Sequence, residues 1–181
     1  MKKILMLVAN GVEPLEMAAF TDVLGWANLV GNEEVTVVDA SFQTHIKTTF
    51  GLNLTINHLV KDLSLDEYDA LAIPGGFEPA GFYEDALSDP FLEVIQYFHQ
   101  HKKIIASVCV SSLALGKAGV LEGKRATVYH QKNGIRKQQL EESGAIFVDE
   151  ALVCDDNMIT STGPGTAIEV AFMLLQRLTS Q

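Results

Sequence analysis

Short apolar runs alternate with longer segments in which apolar residues recur every three or four positions, and this order continues along the whole chain. A short apolar run bounded by turn residues is typical of a buried parallel strand, and the longer spacing is typical of an amphipathic helix. The pattern predicts strands at 3–9, 33–41, 68–76, 103–110 and 125–130, two more strands within 145–162, and helices at 14–31, 89–103, 111–121, 134–144 and 165–180.

The alternation of strands and helices predicts the α/β class. Helical crossovers between strands build a mostly parallel sheet that is covered on both faces. We therefore expect one domain over residues 1–181, a three-layer α/β/α sandwich. Residues 45–60 alternate around Gly51 and are predicted to add strands or a hairpin to this main sheet.

Two of the predicted helices have recognisable ends. Pro14 suits a first helical turn and Gly31 suits the end of the same helix, while Asp89 is the expected N-cap of the helix at 89–103. The predicted buried faces consist of Leu15, Ala18, Ala19, Val23 and Trp26 in the first helix and of Phe91, Leu92, Ile95 and Phe98 in the second.

Composition narrows the classes of partner. Hydrophobic residues make up 48% of the chain, enough for a substantial core, and 23 acidic against 13 basic residues give a net charge of −10. This balance disfavours nucleic acid or anionic lipid as the main partner, because phosphate binding needs clustered basic residues. The densest basic run, at 123–139, alternates with polar residues and is interpreted as a solvated face.

The segments that would indicate another compartment or a cofactor are missing from the sequence. The apolar run after Lys2 and Lys3 is short and leads into the acidic GVEPLE, so it predicts a strand rather than a signal peptide. No apolar stretch approaches the ~18 residues of a membrane span. Cys109 and Cys154 form neither a disulfide framework nor a metal-binding spacing, and no GxGxxG or GK[ST] phosphate loop occurs. We expect a cytoplasmic protein with reduced thiols and with neither metal nor nucleotide cofactor.

Chemically useful residues follow three of the predicted strands. Glu16 lies after the first strand, Gly75 and Gly76 follow the strand at 68–76, and Cys109 ends the run IIASV. In open α/β sheets, ligands bind beyond the carboxyl ends of the strands. If these three strands are neighbours, the residues converge on one crevice.

Each of these residues has a chemical role that suits such a crevice. A cysteine at a strand-to-helix turn meets free helix N–H groups, which predicts a thiol pKa below the ~8.5 of free cysteine. The backbone N–H groups of Gly76 and Val110 are candidate oxyanion donors, and Glu16 is a candidate proton donor and acceptor beside the sulfur. Taken singly, each residue also has an ordinary structural explanation, and Cys154, inside an alternating strand, is expected to be structural.

Four segments together resemble the ThiJ/PfpI superfamily, whose members include protein deglycases, intracellular proteases and isonitrile hydratases. They are GVEPLE with Glu16, AIPGG at 72–76, IIASVCVSS with Cys109, and STGPGTAIEVAF at 161–172. The resemblance covers nearly the whole chain. It implies a flavodoxin-like fold, similar to class I glutamine amidotransferases, with Cys109 as a nucleophile at an elbow, Glu16 beside its sulfur, and a homodimer.

The sequence departs from many of these relatives at the expected histidine. Val110 stands where PfpI-like members have a histidine directly after the cysteine. In other branches the histidine follows later, where this chain reads ATVYHQ. Tyr129 matches that position without a gap, and His130 matches it only with one inserted residue. Because a shift of one residue turns a strand side chain to the opposite face, His130 is a catalytic candidate only in one of the two alignments.

Two classes of function remain open from the sequence. The first is a cofactor-independent enzyme in which Cys109 attacks a small electrophile: a reactive aldehyde such as methylglyoxal or its protein adducts, an isonitrile, or an amide. The second is a non-catalytic oxidation sensor or chaperone-like protein that uses oxidation of Cys109. Apolar residues near the exit of the first strand (Leu15, Met17 and Phe20) are expected to contribute to the homodimer interface.

Overall fold

Strands and helices alternate from Lys2 to Thr179 in a computed structural model, which describes residues 1–31, 34–131 and 133–179. The strands are β1 (Lys2–Leu7), β2 (Val35–Ser41), β3 (His45–Lys47), β4 (Asn53–Thr55), β5 (His58–Leu59), β6 (Ala70–Ile73), β7 (Ile104–Val108), β8 (Arg125–Ala126), β9 (Ile146–Phe147), β10 (Leu152–Asp155) and β11 (Met158–Ser161). The helices are α1 (Pro14–Val30), α2 (Phe82–Ala86), α3 (Asp89–Gln100), α4 (Ser112–Lys117), α5 (Ile135–Glu142) and α6 (Ala167–Thr179). The predicted start of the second strand at Glu33 and the predicted end of the last helix at Ser180 lie outside the described residues.

The main sheet has the strand order β10-β11-β7-β6-β1-β2-β5 and is parallel except for the β10–β11 pair. Its central strands are mostly apolar because helices cover both faces. In β1, Ile4, Leu5, Met6 and Leu7 are completely buried. The predicted mostly parallel sheet is confirmed, and β10 and β11, within the region 145–162, pair as an antiparallel hairpin.

Two groups of helices cover the sheet. Helices α1 and α6 pack on each other and contact β2, β7 and β11, whereas α3 packs on β6 and β7 and touches α2 and α4. Phe91, Ile95 and Phe98 of α3 are fully buried, as its spacing predicted. The arrangement is the predicted three-layer α/β/α sandwich. Within the described ranges, no helix is long and apolar enough to cross a membrane.

The predicted buried face of α1 is wrong. The helix buries Glu16, Ala19, Phe20 and Leu24, whereas Leu15 and Trp26 are 60% and 59% exposed. Apolar residues occur around much of this helix, so spacing alone did not select the face that meets the sheet. The face that does meet it carries Glu16 into the interior, and Phe20 is unavailable for the surface contact expected of it.

Two strand predictions and one cap prediction also need correction. Residues 45–60 do not simply extend the main sheet: β3 and β4 pair as a separate antiparallel sheet, and β5 alone joins the edge, beside β2. The strand predicted at 125–130 ends at Ala126, where β8 pairs with the equally short β9. Ser88, not Asp89, occupies the N-cap position of α3, because Asp89 already has helical geometry.

Candidate active site

The carboxyl ends of β1, β6 and β7 meet at one edge of the sheet because these three strands are parallel neighbours. The loops that follow β1 and β6 are joined by backbone hydrogen bonds. Glu13 N–H donates to the Gly75 carbonyl at 2.9 Å, and Phe77 N–H donates to the Gly11 carbonyl at 3.0 Å. This pairing brings the first turn of α1 beside the two glycines, so the predicted convergence of Glu16 and Cys109 occurs in one cleft.

Cys109 occupies a sharp turn between β7 and α4. Its φ angle is +62°, in the left-handed region, which costs an L-residue roughly 1–2 kcal/mol. The buried Ser111 hydroxyl holds this turn: it accepts the Val108 N–H at 3.0 Å and lies 2.7 Å from the Val108 carbonyl oxygen and 3.0 Å from that of Ile73. The turn is thereby tied to the end of β6 as well as to β7.

Glu16 is completely buried at the floor of the cleft. Burial raises the pKa of its carboxyl group from an ordinary 4.5 to about 8, although the Gly75 N–H and the Cys109 thiol beside it act in the opposite direction. Oε2 accepts the Gly75 N–H at 2.6 Å, whereas Oε1 is buried and has no hydrogen-bond partner of ordinary geometry within the described residues. Glu16 is therefore a neutral acid at pH 7 and has a proton available at the floor of the cleft.

The expectation of a low thiol pKa at Cys109 is wrong. Burial raises the pKa of the Cys109 thiol and a charge on Glu16 raises it further, while the Val110 N–H is the opposing influence. The sulfur gains little from the following helix, since α4 begins three residues later and is only six residues long. Cys109 and Glu16 are close enough to titrate as a pair, so the loss of one proton belongs to both groups together.

Gly75 and Gly76 are required by space as well as by the turn. A Cβ atom at Gly75 would lie 2.7 Å from Glu16 Oε2 and 2.8 Å from the Cys109 Cβ. A Cβ atom at Gly76 would lie 2.4 Å from the Gly11 carbonyl oxygen. The absence of a side chain at Gly75 lets the acid and the thiol approach each other, and its absence at Gly76 lets the loops after β1 and β6 pack together.

The cleft contains Tyr129 in its wall, whereas His130 lies outside it. The His130 Nε2 is 3.1 Å from Asp149 Oδ1, its Nδ1 is 2.9 Å from the Val128 carbonyl oxygen, and its ring packs edge-on against Phe147. Both ring nitrogens thus have acceptors away from the sulfur. The alternative that places His130 as a catalytic partner is not supported by this geometry, since the two consecutive side chains point in different directions.

Glu78, Tyr83 and Arg136 are among the residues of the cleft wall to which the sequence assigned no individual role. Tyr83 belongs to a short helix, α2, that was not predicted. Arg136 lies within the basic run that was interpreted as a solvated face, but its side chain is only 25% exposed and pairs with Glu78 at 2.7 Å. No local pattern in the sequence marks these residues, because they approach one another only in the fold.

The described residues contain no group of three or more histidine, cysteine, aspartate or glutamate side chains placed to hold a metal ion. The arrangement defines a class of α/β protein in which a cysteine at a left-handed elbow faces a buried carboxylic acid across a glycine. The sequence model of the DJ-1/PfpI family matches residues 2–177. The chain belongs to the DJ-1/PfpI family, as the resemblance of its four segments predicted.

Individual relatives agree with this assignment. Protein DJ-1 homolog A of Arabidopsis thaliana is 31% identical over 98% of this chain, which spans only 43% of that longer protein. A Schizosaccharomyces pombe protein named glutathione-independent glyoxalase DJ-1 is 28% identical over 100% of this chain and 93% of its own length. The crystal structure of Drosophila melanogaster DJ-1beta superposes with a TM-score of 0.85 at 27% identity, covering 99% of this chain and 91% of that one.

Proposed function

We propose that the protein is a cofactor-independent enzyme that converts a reactive 2-oxoaldehyde such as methylglyoxal, free or as a protein adduct, into a 2-hydroxy acid. The observation that carries the proposal is the buried acid beside the elbow cysteine, because aldehyde conversion needs a nucleophile and a proton carrier in contact. The glyoxalase named among the relatives favours an aldehyde over an isonitrile or an amide. The lack of an imidazole in the cleft wall disfavours proteolysis.

The first step joins the Cys109 sulfur to the aldehyde carbon. The C–S bond forms and the S–H bond breaks as the π electrons of the carbonyl move to oxygen. That oxygen takes the Glu16 proton, and the thiol proton passes to Glu16, which remains a neutral acid. The product is a hemithioacetal, and nothing has been oxidised or reduced overall. The N–H groups of Gly76 and Val110, which line the cleft, are the proposed donors to the oxygen as it gains charge.

The second step moves a hydrogen from the aldehyde carbon to the neighbouring carbon. Glu16 gives its proton to the ketone oxygen and then, as a carboxylate, removes the proton from the first carbon, which leaves an enediol. That proton passes to the second carbon, and the hydroxyl proton of the first carbon returns to Glu16. The first carbon is oxidised to a thioester, while the ketone beside it is reduced to an alcohol, so no external oxidant is required. Water then cleaves the thioester, releases the 2-hydroxy acid and restores the thiol. The balance is one methylglyoxal and one water to one lactate.

The test measures lactate formed from methylglyoxal without glutathione or added metal. Cys109→Ser should lower the turnover rate by roughly 10³-fold or more, because its hydroxyl is a far weaker nucleophile. Cys154→Ser is the matched control and should stay within about twofold of the wild type, since it lies on β10 outside the cleft. Equal activities of the two variants, or no lactate from the wild type, would contradict the proposal.

A sensor of oxidants is the second candidate function, and the unpartnered Oε1 atom of Glu16 favours it. An oxidised Cys109 carries oxygen atoms, and a protonated Glu16 is placed to donate to one of them. Mass spectrometry after exposure to peroxide would then find oxygen added at Cys109 before Cys154. Both functions need a reduced Cys109 at rest, and for this reason we propose the cytoplasm as the location.

A homodimer is the assembly that we propose. Apolar side chains on the outer surfaces of α1 and α6 support it, since Leu15, Trp26, Leu29 and Phe172 are all more than half exposed. Phe20, which the sequence had suggested for this surface, is completely buried and contributes nothing to it. Light scattering at micromolar concentration should give twice the mass of one chain, and a monomer mass would contradict the assembly.

A further inference from the structure

Two hydrogen-bond donors line the Cys109 cleft without an acceptor. The Tyr83 hydroxyl and the Arg136 Nε are both buried, and within the part of the chain that the structure describes neither has a hydrogen-bond partner of ordinary geometry. The two side chains make only a weak contact with each other, which lowers the pKa of Tyr83 slightly. Burying a donor without an acceptor is unfavourable. Such donors in the wall of a cleft are therefore expected to bond to whatever the cleft contains.

The two donors are held next to each other by separate elements. The Arg136 guanidinium carbon, from the first turn of α5, lies 5.7 Å from the centre of the Tyr83 ring on α2. Arg136 Nη2 contacts Glu78 Oε2 at 2.7 Å, and this ion pair fixes the guanidinium while leaving Nε free. Glu78 also compensates the positive charge of Arg136. Tyr83 and Arg136 therefore offer a ligand one O–H and one N–H donor, without an uncompensated charge.

The electrostatics of Tyr83 connect this pair with the sulfur. Burial, the largest influence, raises the pKa of the Tyr83 hydroxyl, so it keeps its proton and acts as a donor at neutral pH. Negative charge on Cys109 raises this pKa further, which places the hydroxyl within electrostatic reach of the nucleophile. Tyr83, Arg136 and Cys109 line the same cleft, so a ligand attached to Cys109 extends toward the two side chains.

We propose that the Tyr83 hydroxyl and the Arg136 Nε–H together bind the second oxygen of the substrate, on the carbon next to the one that Cys109 attacks. A 1,2-dicarbonyl compound has an acceptor at that place and a simple aldehyde has none. The pair thus selects dicarbonyl compounds over monoaldehydes, and it orients the ketone whose carbon receives the proton. Neither residue exchanges protons with the substrate in this role; both position it. The inference rests on the proposed function, since it presupposes an aldehyde bonded to Cys109.

The test measures how strongly each aldehyde protects Cys109 from alkylation. Reversible addition of an aldehyde to the sulfur blocks iodoacetamide, and peptide mass spectrometry separates labelling at Cys109 from labelling at Cys154. Methylglyoxal and propanal are compared in the wild type, in Tyr83→Phe and in Arg136→Lys. The phenylalanine variant removes only the hydroxyl, and the lysine variant keeps a positive charge for Glu78 while removing Nε–H.

Each variant should need about tenfold more methylglyoxal for half protection, the loss expected from one hydrogen bond, and should respond to propanal like the wild type. Tyr68→Phe is the matched control, because Tyr68 is also buried but does not line the cleft, and it should change neither value. Thermal melting checks that the variants fold. If Tyr83→Phe fails to fold, Arg136→Lys, at a partly exposed position, is sufficient for the test.

The remaining outcomes separate the two proposals. Wild-type protection by methylglyoxal in both variants overturns the role of the pair. Equal weakening for methylglyoxal and propanal also overturns it, because a general disturbance of the cleft affects both aldehydes alike. Failure of methylglyoxal to protect wild-type Cys109 contradicts the proposed function itself and, with it, this inference.

Discussion

Cys109 and Cys154 have contrasting environments in the same sheet. Cys109 follows β7 at the centre of the sheet, with a left-handed backbone, a buried acid beside it and a cleft above it. Cys154 lies within β10, the outermost strand on its side, paired with Ile159 across an ordinary antiparallel ladder. Its side chain is half-buried, and the positive charge of Arg177 acts on its thiol.

Acidity is not what distinguishes the two cysteines. Burial raises the pKa of both thiols, and Arg177 even opposes this rise at Cys154, whereas the charge of Glu16 adds to it at Cys109. The difference lies in the partner groups: Cys109 has an acid that can hold its proton and N–H donors that face the cleft. In the proposed function, the reactivity of Cys109 thus depends on proton exchange with Glu16 and not on a low thiol pKa.

The proton on Glu16 should produce the largest effect, and Cys154 has no counterpart to it. Folded Glu16 keeps its proton up to a pKa of about 8, whereas in the unfolded chain it ionises near 4.5. Between these values the unfolded state binds fewer protons, so the free energy of unfolding should fall as pH rises, by about 1.4 kcal/mol per pH unit. Urea unfolding across this range should give a much shallower slope for Glu16→Gln and an unchanged slope for Cys154→Ser. An unchanged slope in Glu16→Gln would show that the acid ionises normally in the fold.

Adding a methyl group between the acid and the thiol should break the special environment of Cys109 without touching Cys154. In Gly75→Ala the new Cβ would collide with Glu16 Oε2 and the Val108 carbonyl oxygen at 2.7 and 2.6 Å, so the acid must move away. Methylglyoxal turnover should fall by about a hundredfold, the cost of a displacement near 1 Å in an active site. Gly25→Ala in α1 is the control, because its Cβ meets nothing within 4 Å, and turnover should be retained. Comparable losses in both variants would contradict the contact.

Oxidation by peroxide should also distinguish the two cysteines, with a smaller effect. Peroxide should oxidise Cys109 before Cys154 and should stop largely at the sulfinate, an anion that the protonated Glu16 can hold. Glu16→Gln keeps a donor and should still accumulate sulfinate. Glu16→Leu has none, and its sulfinate fraction by intact mass should fall by roughly tenfold or more, since a hydrogen bond to a charged group contributes about 1.5–3 kcal/mol. The same fraction in both variants would mean that Glu16 does not contact the oxidised sulfur.

The smallest effect separates the two backbones. The variant Cys109→Gly should be more stable than the variant Cys109→Ala by about 1 kcal/mol, because φ is +62° at this position and glycine adopts this region without strain. At position 154, inside a strand, Cys154→Gly should instead be less stable than Cys154→Ala by roughly 0.5–1 kcal/mol. Chemical denaturation of the four variants measures both differences. Equal signs at the two positions would contradict stored strain at the elbow.

The fold was predictable because its central strands are buried on both faces and therefore leave continuous apolar runs in the sequence. The adjacency of β1, β6 and β7 was a condition that the sequence left open, and the strand order meets it and so brings Glu16 and Cys109 together. The buried face of α1 was not predictable from spacing, because the helix is apolar on its outer side too.

Other features depend on distances that no linear pattern contains. The thiol pKa of Cys109 is a balance between burial, the charge of Glu16 and one N–H group, and the sequence indicated only the last of these. Tyr83 and Arg136 belong to different helices and become neighbours through Glu78. The choice between Tyr129 and His130 was a matter of one residue, which only the conformation after β8 decides.

The left-handed backbone at Cys109 also bears on how this family can diverge. Under the proposed function, thiol chemistry keeps a cysteine at a position where the backbone conformation alone would favour glycine or asparagine. In a duplicated copy that no longer needs this chemistry, substitution of the cysteine by glycine or asparagine should relieve the backbone strain and be favoured. Descendants that retain the frame yet carry glycine or asparagine there are thus expected to be former enzymes, recognisable from one letter of their sequence.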